Sequence, residues 1–158
     1  MSEILHHLHR YNAWIAWNLF LAFIPVGLSF YLFRCGRTKR SLHGPVNTSP
    51  LWWLGVAVYV AFLPNAPYVL TDIIHLIEAT WATDSIWVVT LFYFPLHISA
   101  MLLAFEAYVV SLINQGSYLR WRGLSQTNIF GVEILTHILC ATGIFLGRFL
   151  RFNSWDII

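Results

Sequence analysis

Long apolar runs dominate the pattern of hydrophobic and polar positions along this chain. A transmembrane helix needs about 20 predominantly apolar residues. Four runs meet this length, and they cover approximately residues 13–33, 51–76, 86–113 and 129–149. The pattern therefore predicts an all-α fold, a polytopic transmembrane helix bundle of about four spans. It also predicts that residues 1–158 form a single integral membrane domain.

The second run is interrupted by the segment FLPNAPYVLTDIIHL, residues 62–76. A proline inside a helix removes a backbone donor and clashes with the preceding turn. Groups freed in this way inside lipid must be satisfied by protein or water. We therefore predict that the second span is broken at Pro64–Pro67 and that the break faces the bundle interior or a wet cavity. A simple kink is the alternative.

Composition supports a membrane protein. The chain is 58% hydrophobic and 10% charged, whereas soluble domains carry about 25% charged residues. A net charge of +2 gives no indication of nucleic-acid binding. The cysteines, Cys35 and Cys140, form no CxxC pair and are interpreted as packing residues. The chain lacks the common nucleotide, zinc-protease and serine-hydrolase motifs, and we predict no cofactor and no metal site.

The basic residues of the predicted loops indicate an orientation. Loops 34–50 and 114–128 contain arginine or lysine, whereas the loop over residues 78–85 contains neither. Because cytoplasmic loops carry the excess of basic residues, we predict that the first and third loops are cytoplasmic and the N-terminus is extracytoplasmic. The ends of the second and fourth spans then reach the same outer interface.

Polar residues collect at those two span ends and define a candidate polar site. Its members are Asn65, Thr71, Asp72, His75, Arg148, Arg151, Asn153 and Asp156. Asp72, His75 and Glu78 recur every three residues, a spacing suited to a metal or a proton relay. An interfacial polar helix is the alternative and is favoured over metal binding. Arg148 and Arg151 could clamp a phosphate, pair with a carboxylate or extend to the headgroups.

A second group of ionisable residues lies deeper in the third and fourth spans. Its members are His97, Glu106, Glu133 and His137. Intramembrane ionisable residues are functional candidates by default, so this candidate inner polar cluster could form a proton or ion path. The alternative, which we favour, is that each group bonds to a neighbouring helix and holds the bundle together.

The segments FLPNAPYVLTDIIHL and GRFLRFNSWD together resemble the DUF1361 family of bacterial multi-pass membrane proteins, whose function is unassigned. The resemblance covers most of the chain from the second span onward. It places Pro64, Asn65, Pro67, Tyr68, Thr71, Asp72 and His75 in the first motif, and Gly147, Arg148, Arg151, Asn153, Ser154, Trp155 and Asp156 in the second. Family members usually continue with further hydrophobic sequence, so the resemblance raises the expectation of a C-terminally truncated member. It implies no reaction.

Three functions remain open from the sequence. Composition predicts a membrane location, and the resemblance implies a bacterial cell membrane. The favoured function is a membrane scaffold, assembly or binding protein with a polar site at the outer face. A small transporter or channel subunit would use the broken helix as a binding element. An enzyme acting on a phosphorylated lipid or headgroup is the third and is less favoured. The expected partners are the lipid bilayer and either other membrane proteins or further copies of the chain.

Overall fold

The computed structural model describes residues 2–35, 49–81, 83 and 85–149, which form helices joined by turns, with no strand among them. The helices are α1 (Ser2–Ser29), α2 (Pro50–Phe62), α3 (Asn65–Tyr68), α4 (Ile73–Trp81), α5 (Ile86–Val88), α6 (Phe94–Trp121) and α7 (Gln126–Phe149). Turns of other pitch join some of them: π-helical Phe30–Cys35 and Val89–Tyr93, and the 3₁₀ turn Val69–Thr71.

Four helical segments of the described chain are long and apolar enough to cross a membrane. They are span 1 (Tyr11–Cys35), span 2 (Pro50–Glu78), span 3 (Ile86–Trp121) and span 4 (Gln126–Arg148). Only 17–28% of the most apolar window of each span is buried inside the bundle. A large apolar outer surface is what a helix bundle in lipid requires. The all-α, four-span fold of a multi-pass membrane protein is therefore confirmed, including the break in span 2.

Spans 1 and 3 form the centre of the bundle, where α1 packs most extensively against α6. Ala22 and Ala104 are completely buried in the core between the spans. Small residues at such positions allow helix backbones to approach closely in a membrane protein. Span 2 adds Tyr59 and Leu63 to the same core. The bundle is thus built on close helix contacts rather than on a wide apolar interior.

The third loop is shorter than the predicted range of 114–128. Helix α6 continues to Trp121 and α7 begins at Gln126. Asn114 and Gln115 look like loop residues in the sequence, but they are buried and point into the bundle. Gly123, two residues after the helix ends, has a positive φ of 80°, the left-handed conformation that glycine adopts readily after helix C-termini.

Candidate functional site

The break in span 2 is stabilised by side chains of the same segment. Asn65 Nδ2 donates to the carbonyl of Phe62 at 3.0 Å, and Thr71 Oγ1 donates to the carbonyl of Tyr68 at 2.7 Å. Proline and the change of helical pitch leave carbonyls in this region without their usual intrahelical donors. These two polar side chains therefore support the irregular backbone. The Thr71 hydroxyl points back to the break instead of capping the helix that follows.

Arg148, at the end of span 4, hydrogen-bonds to the broken segment of span 2. Its guanidinium donates to Asp72 Oδ1 at 2.9 Å and to the carbonyl of Thr71 at 2.6 Å. The guanidinium carbon also lies 5.9 Å from the centre of the Tyr68 ring. Asp72 is completely buried, so the ion pair is shielded from screening by solvent. Thr71, Asp72 and Arg148 are called the break clasp below.

Two glycines allow span 4 to approach the break. A Cβ atom added at Gly143 would lie 2.7 Å from Cγ of Pro64, and one added at Gly147 would lie 3.6 Å from the Tyr68 ring. The two glycines are four residues apart and so share one helix face. Small residues at this spacing are typical of tight helix contacts in membranes. This contact brings Arg148 to Asp72.

The predicted stripe of Asp72, His75 and Glu78 is divided between two environments. Asp72 is buried, whereas His75 Nδ1 lies 3.2 Å from Glu78 Oε2 in an exposed pair. The imidazole of His75 also packs on Trp14, with ring centres 4.2 Å apart. Asp72 precedes the first residue of α4, so it does not continue the face that His75 and Glu78 share. In the described part of the chain, no group of three or more His, Cys, Asp and Glu residues is arranged to hold a metal ion.

Two buried polar atoms near the clasp have no hydrogen-bond partner among the described residues. They are Asp72 Oδ2 and His97 Nε2. The other ring nitrogen of His97 shares a hydrogen bond of 2.9 Å with the hydroxyl of Tyr11. Unpaired polar atoms are rare in protein interiors and need a specific explanation.

His97 is separated from the other three residues of the predicted inner cluster, Glu106, Glu133 and His137. His97 is buried and bonds to Tyr11. Glu106 is exposed on the outside of the bundle, and His137 bonds to the hydroxyl of Tyr108 at 2.6 Å. Glu133 Oε1 lies over Gly116, where an added Cβ atom would approach to 2.9 Å. His97 and Glu106 are separated because they lie on opposite faces of α6: His97 faces the bundle interior and Glu106 faces outward.

A lateral groove of about 450 Å³ runs between spans 3 and 4 on the outside of the bundle. Its lining includes the apolar residues Val109, Leu112 and Ile113 and the ionisable residues Arg120, Glu133 and His137. Glu106 is not a lining residue, but it is exposed and directly follows the lining residue Phe105, and helical periodicity places it on the same face as Ile113 seven residues later. Three of the ionisable groups, Arg120, Glu106 and His137, are exposed. The groove is therefore an ionisable strip on an otherwise apolar surface.

A hydrogen-bonded network that the sequence did not indicate joins all four spans. Asn114 accepts from Arg34 at 2.8 Å and donates to Ser29 at 2.8 Å. The neighbouring Gln115 accepts from Tyr59 at 3.2 Å and donates to Thr136 at 3.1 Å. The useful signal was the pair Asn114–Gln115 beside an apolar run, which fits a helix continuing with an inward polar face as well as it fits a loop.

Three members of the candidate polar site, Arg151, Asn153 and Asp156, lie outside the described residues. A phosphate held by Arg148 and Arg151, one of the alternatives for these arginines, stays a prediction. Among the described members, the structure brings Thr71, Asp72 and Arg148 into direct contact. Asn65 supports the backbone of the break one turn away, and His75 lies beside it with an exposed partner.

The comparison with protein families supports one assignment. The family described as "Protein of unknown function (DUF1361)" matches residues 17–158, nearly the whole chain. The chain therefore belongs to this family. No curated protein and no solved structure matches the chain significantly.

Proposed function

We propose that this protein is a membrane scaffold or assembly protein that presents the lateral groove to another transmembrane helix. The observation that carries the proposal is the set of ionisable residues that face outward beside the groove. Glu106 and His137 are exposed in segments that are otherwise apolar. Ionisable groups in contact with hydrocarbon are costly, and they usually face protein or water instead. A covering helix would remove that cost.

The depth of these residues strengthens the argument. His137 is the central residue of span 4, so it lies near the middle of the bilayer when that span crosses it. Tyr108 of span 3 bonds to His137 and is therefore at the same level. Glu106 precedes Tyr108 by two residues, about 3 Å along a helix axis. None of these groups is close enough to a helix end for an easy extension to the headgroups.

The motif residues support a structural role for the break. Asn65, Thr71 and Arg148 each donate to a backbone carbonyl of span 2. Arg148 also uses a second nitrogen for Asp72. A guanidinium committed to an internal carboxylate and a carbonyl has less capacity to hold a phosphate. This favours the scaffold over an enzyme acting on a phosphorylated headgroup.

We further propose a bacterial cell membrane as the location, with the N-terminus on the outer side. Spans 1 and 3 end at the same side of an alternating bundle, and Arg34, Arg120 and Arg122 lie at those ends. The excess of basic residues supports a cytoplasmic location for this side. The break clasp then lies toward the outer face, where Asp72 neutralises the arginine on the disfavoured side.

Oxygen accessibility in native membranes tests whether protein covers the groove. A nitroxide label would be attached at Ile113→Cys beside the groove or at Val58→Cys on span 2, after Cys35 and Cys140 are replaced by serine. Both native side chains are exposed, 54% for Ile113 and 36% for Val58. The two sites lie at similar depth, because Tyr59 bonds to Gln115. We expect several-fold lower oxygen accessibility at position 113. Equal accessibility at both sites would mean that lipid fills the groove, and the proposal would be wrong.

Two buried atoms that have no partner in the described part of the chain favour a second candidate function, a small carrier for a cation or proton. Asp72 Oδ2 is an available acceptor, and His97 Nε2 is a second available polar atom at the same end of the bundle. Carriers often place such groups beside a discontinuous helix.

If this candidate is right, proteoliposomes will take up a monovalent cation or protons, and Asp72→Asn will abolish uptake. Glu78→Gln, the same change from carboxylate to amide at an exposed site, is the control that should retain most of the flux. No flux with the unmodified protein would reject the carrier.

A further inference from the structure

We propose that the partner covering the lateral groove is a second copy of this chain, in a symmetric dimer held by reciprocal charged contacts. This inference rests on the proposed function, since it names the partner that the groove receives. The supporting observation is that the groove carries complementary charges of its own. Arg120 lies on its span 3 wall and Glu133 on its span 4 wall.

Two-fold symmetry turns this arrangement into a matched interface. In a dimer with its axis along the membrane normal, every residue keeps its depth in both copies. If the axis passes through the groove, span 3 of one copy faces span 4 of the other. Each contact between the two copies then occurs twice. The positive wall of each groove meets the negative wall of the other.

Arg120 and Glu133 are at compatible depths for this contact. Glu133 Oε1 lies beside Gly116, which is one helical turn before Arg120. One turn is about 5.4 Å, a distance that the long arginine side chain can span. The ion pairs found among the described residues join Arg148 to Asp72 and His75 to Glu78. Among these residues, neither Arg120 nor Glu133 forms an ion pair within one copy, so both can pair with a second copy.

Glu106 and His137 give a second reciprocal contact near the middle of the spans. Tyr108 places span 3 and His137 at the same level, and Glu106 is half a turn away. In the symmetric arrangement, Glu106 of each copy faces the span 4 wall that carries His137 of the other. A carboxylate beside an imidazole satisfies both polar groups away from lipid. The exposed Ile113 and the groove residue Val109 supply apolar contact between these two levels.

Energy transfer between labelled copies of the full chain tests the dimer. Donor or acceptor dye would be attached at the exposed position Thr127→Cys, in a background with Cys35 and Cys140 replaced by serine. The purified protein would be reconstituted alone in phosphatidylcholine vesicles at low protein density. We expect energy transfer above the level of random mixing. Arg120→Glu alone and Glu133→Arg alone should each lose this excess, because each variant places like charges together twice.

Mixing the two single variants is the decisive step. In a mixed dimer, Glu at position 120 of one copy meets Arg at position 133 of the other, and the native Glu133 and Arg120 form the second contact. We therefore expect energy transfer between donor-labelled Arg120→Glu and acceptor-labelled Glu133→Arg to recover. A pair within one copy cannot be restored by mixing. Unchanged transfer in either single variant, or no recovery in the mixture, would overturn the proposed interface.

The result also separates this inference from the proposed scaffold function. Random transfer by the unmodified protein would overturn the dimer. If oxygen accessibility in native membranes nevertheless remains low at position 113, another protein covers the groove and the scaffold function stands. If accessibility there is as high as at position 58, both proposals are wrong.

Discussion

Replacing Arg148 by methionine is expected to lower the free energy of unfolding by about 3 kcal/mol, because it leaves a buried carboxylate without its cation. Asp72 is completely buried, and among the described residues Arg148 is the cation that pairs with its carboxylate. The same change removes the donor to the carbonyl of Thr71. Methionine retains most of the apolar stem, so the loss reports chiefly on the charged contacts. The measurement is reversible unfolding in mixed detergent micelles.

The double variant Arg148→Met, Asp72→Asn is the matched control. A neutral amide at position 72 needs no counter-charge, so most of the lost stability should return. A residual deficit of about 1 kcal/mol is expected for the unpaired carbonyl of Thr71. The stability of Arg148→Lys should lie between that of the native protein and that of Arg148→Met, because lysine supplies the charge but not the planar set of guanidinium donors. A loss below about 1 kcal/mol for Arg148→Met would show that the clasp contributes little.

Substituting Gly143 by alanine is expected to destabilise the bundle by about 1–3 kcal/mol through overpacking. The new Cβ atom would lie 2.7 Å from Cγ and 2.9 Å from Cβ of Pro64. The proline ring is part of the backbone and cannot rotate away as a flexible side chain would. Span 4 would have to move outward, which also weakens the contact between Arg148 and Asp72. Unfolding in mixed micelles measures the loss.

Gly131→Ala on the same helix is the control for this substitution. Gly131 is exposed, and nothing lies within 4 Å of a Cβ atom added there. Alanine has the higher helix propensity by roughly 1 kcal/mol, so this variant should be neutral or slightly more stable. Similar stability of the two variants would contradict the tight packing of span 4 on the break.

The membrane fold was accessible from the sequence because its determinants are local. Span length follows from the thickness of the hydrocarbon layer, and the break at Pro64 and Pro67 follows from the geometry of proline. The sequence also limited Arg148 to a phosphate, a carboxylate or the lipid headgroups as its partner. These features depend on residues close together in the chain. They do not depend on how the helices pack.

Tertiary structure decided which partner each polar residue has. The sequence left Arg148 with several alternatives, and the contact of Gly143 with Pro64 is what brings it to Asp72. Asn114 and Gln115 resembled loop residues, but the packing of α6 against the other spans turns them into the centre of a four-span network. Their partners, Ser29 and Thr136 among them, carry no local signal of such a role.

The exposed and buried faces of spans 3 and 4 were also decided by packing. His97 and Glu106 are both ionisable residues in span 3. Helical periodicity shows that they lie on different faces, but it does not show which face packs inside the bundle. Contacts of α6 with α1 turn His97 inward to Tyr11 and leave Glu106 beside the lateral groove. The length of the apolar runs thus determines that four segments can cross a membrane, and the positions of the prolines determine where span 2 breaks. The rotation of each helix, set by close packing of small side chains, determines which polar groups meet and which face outward.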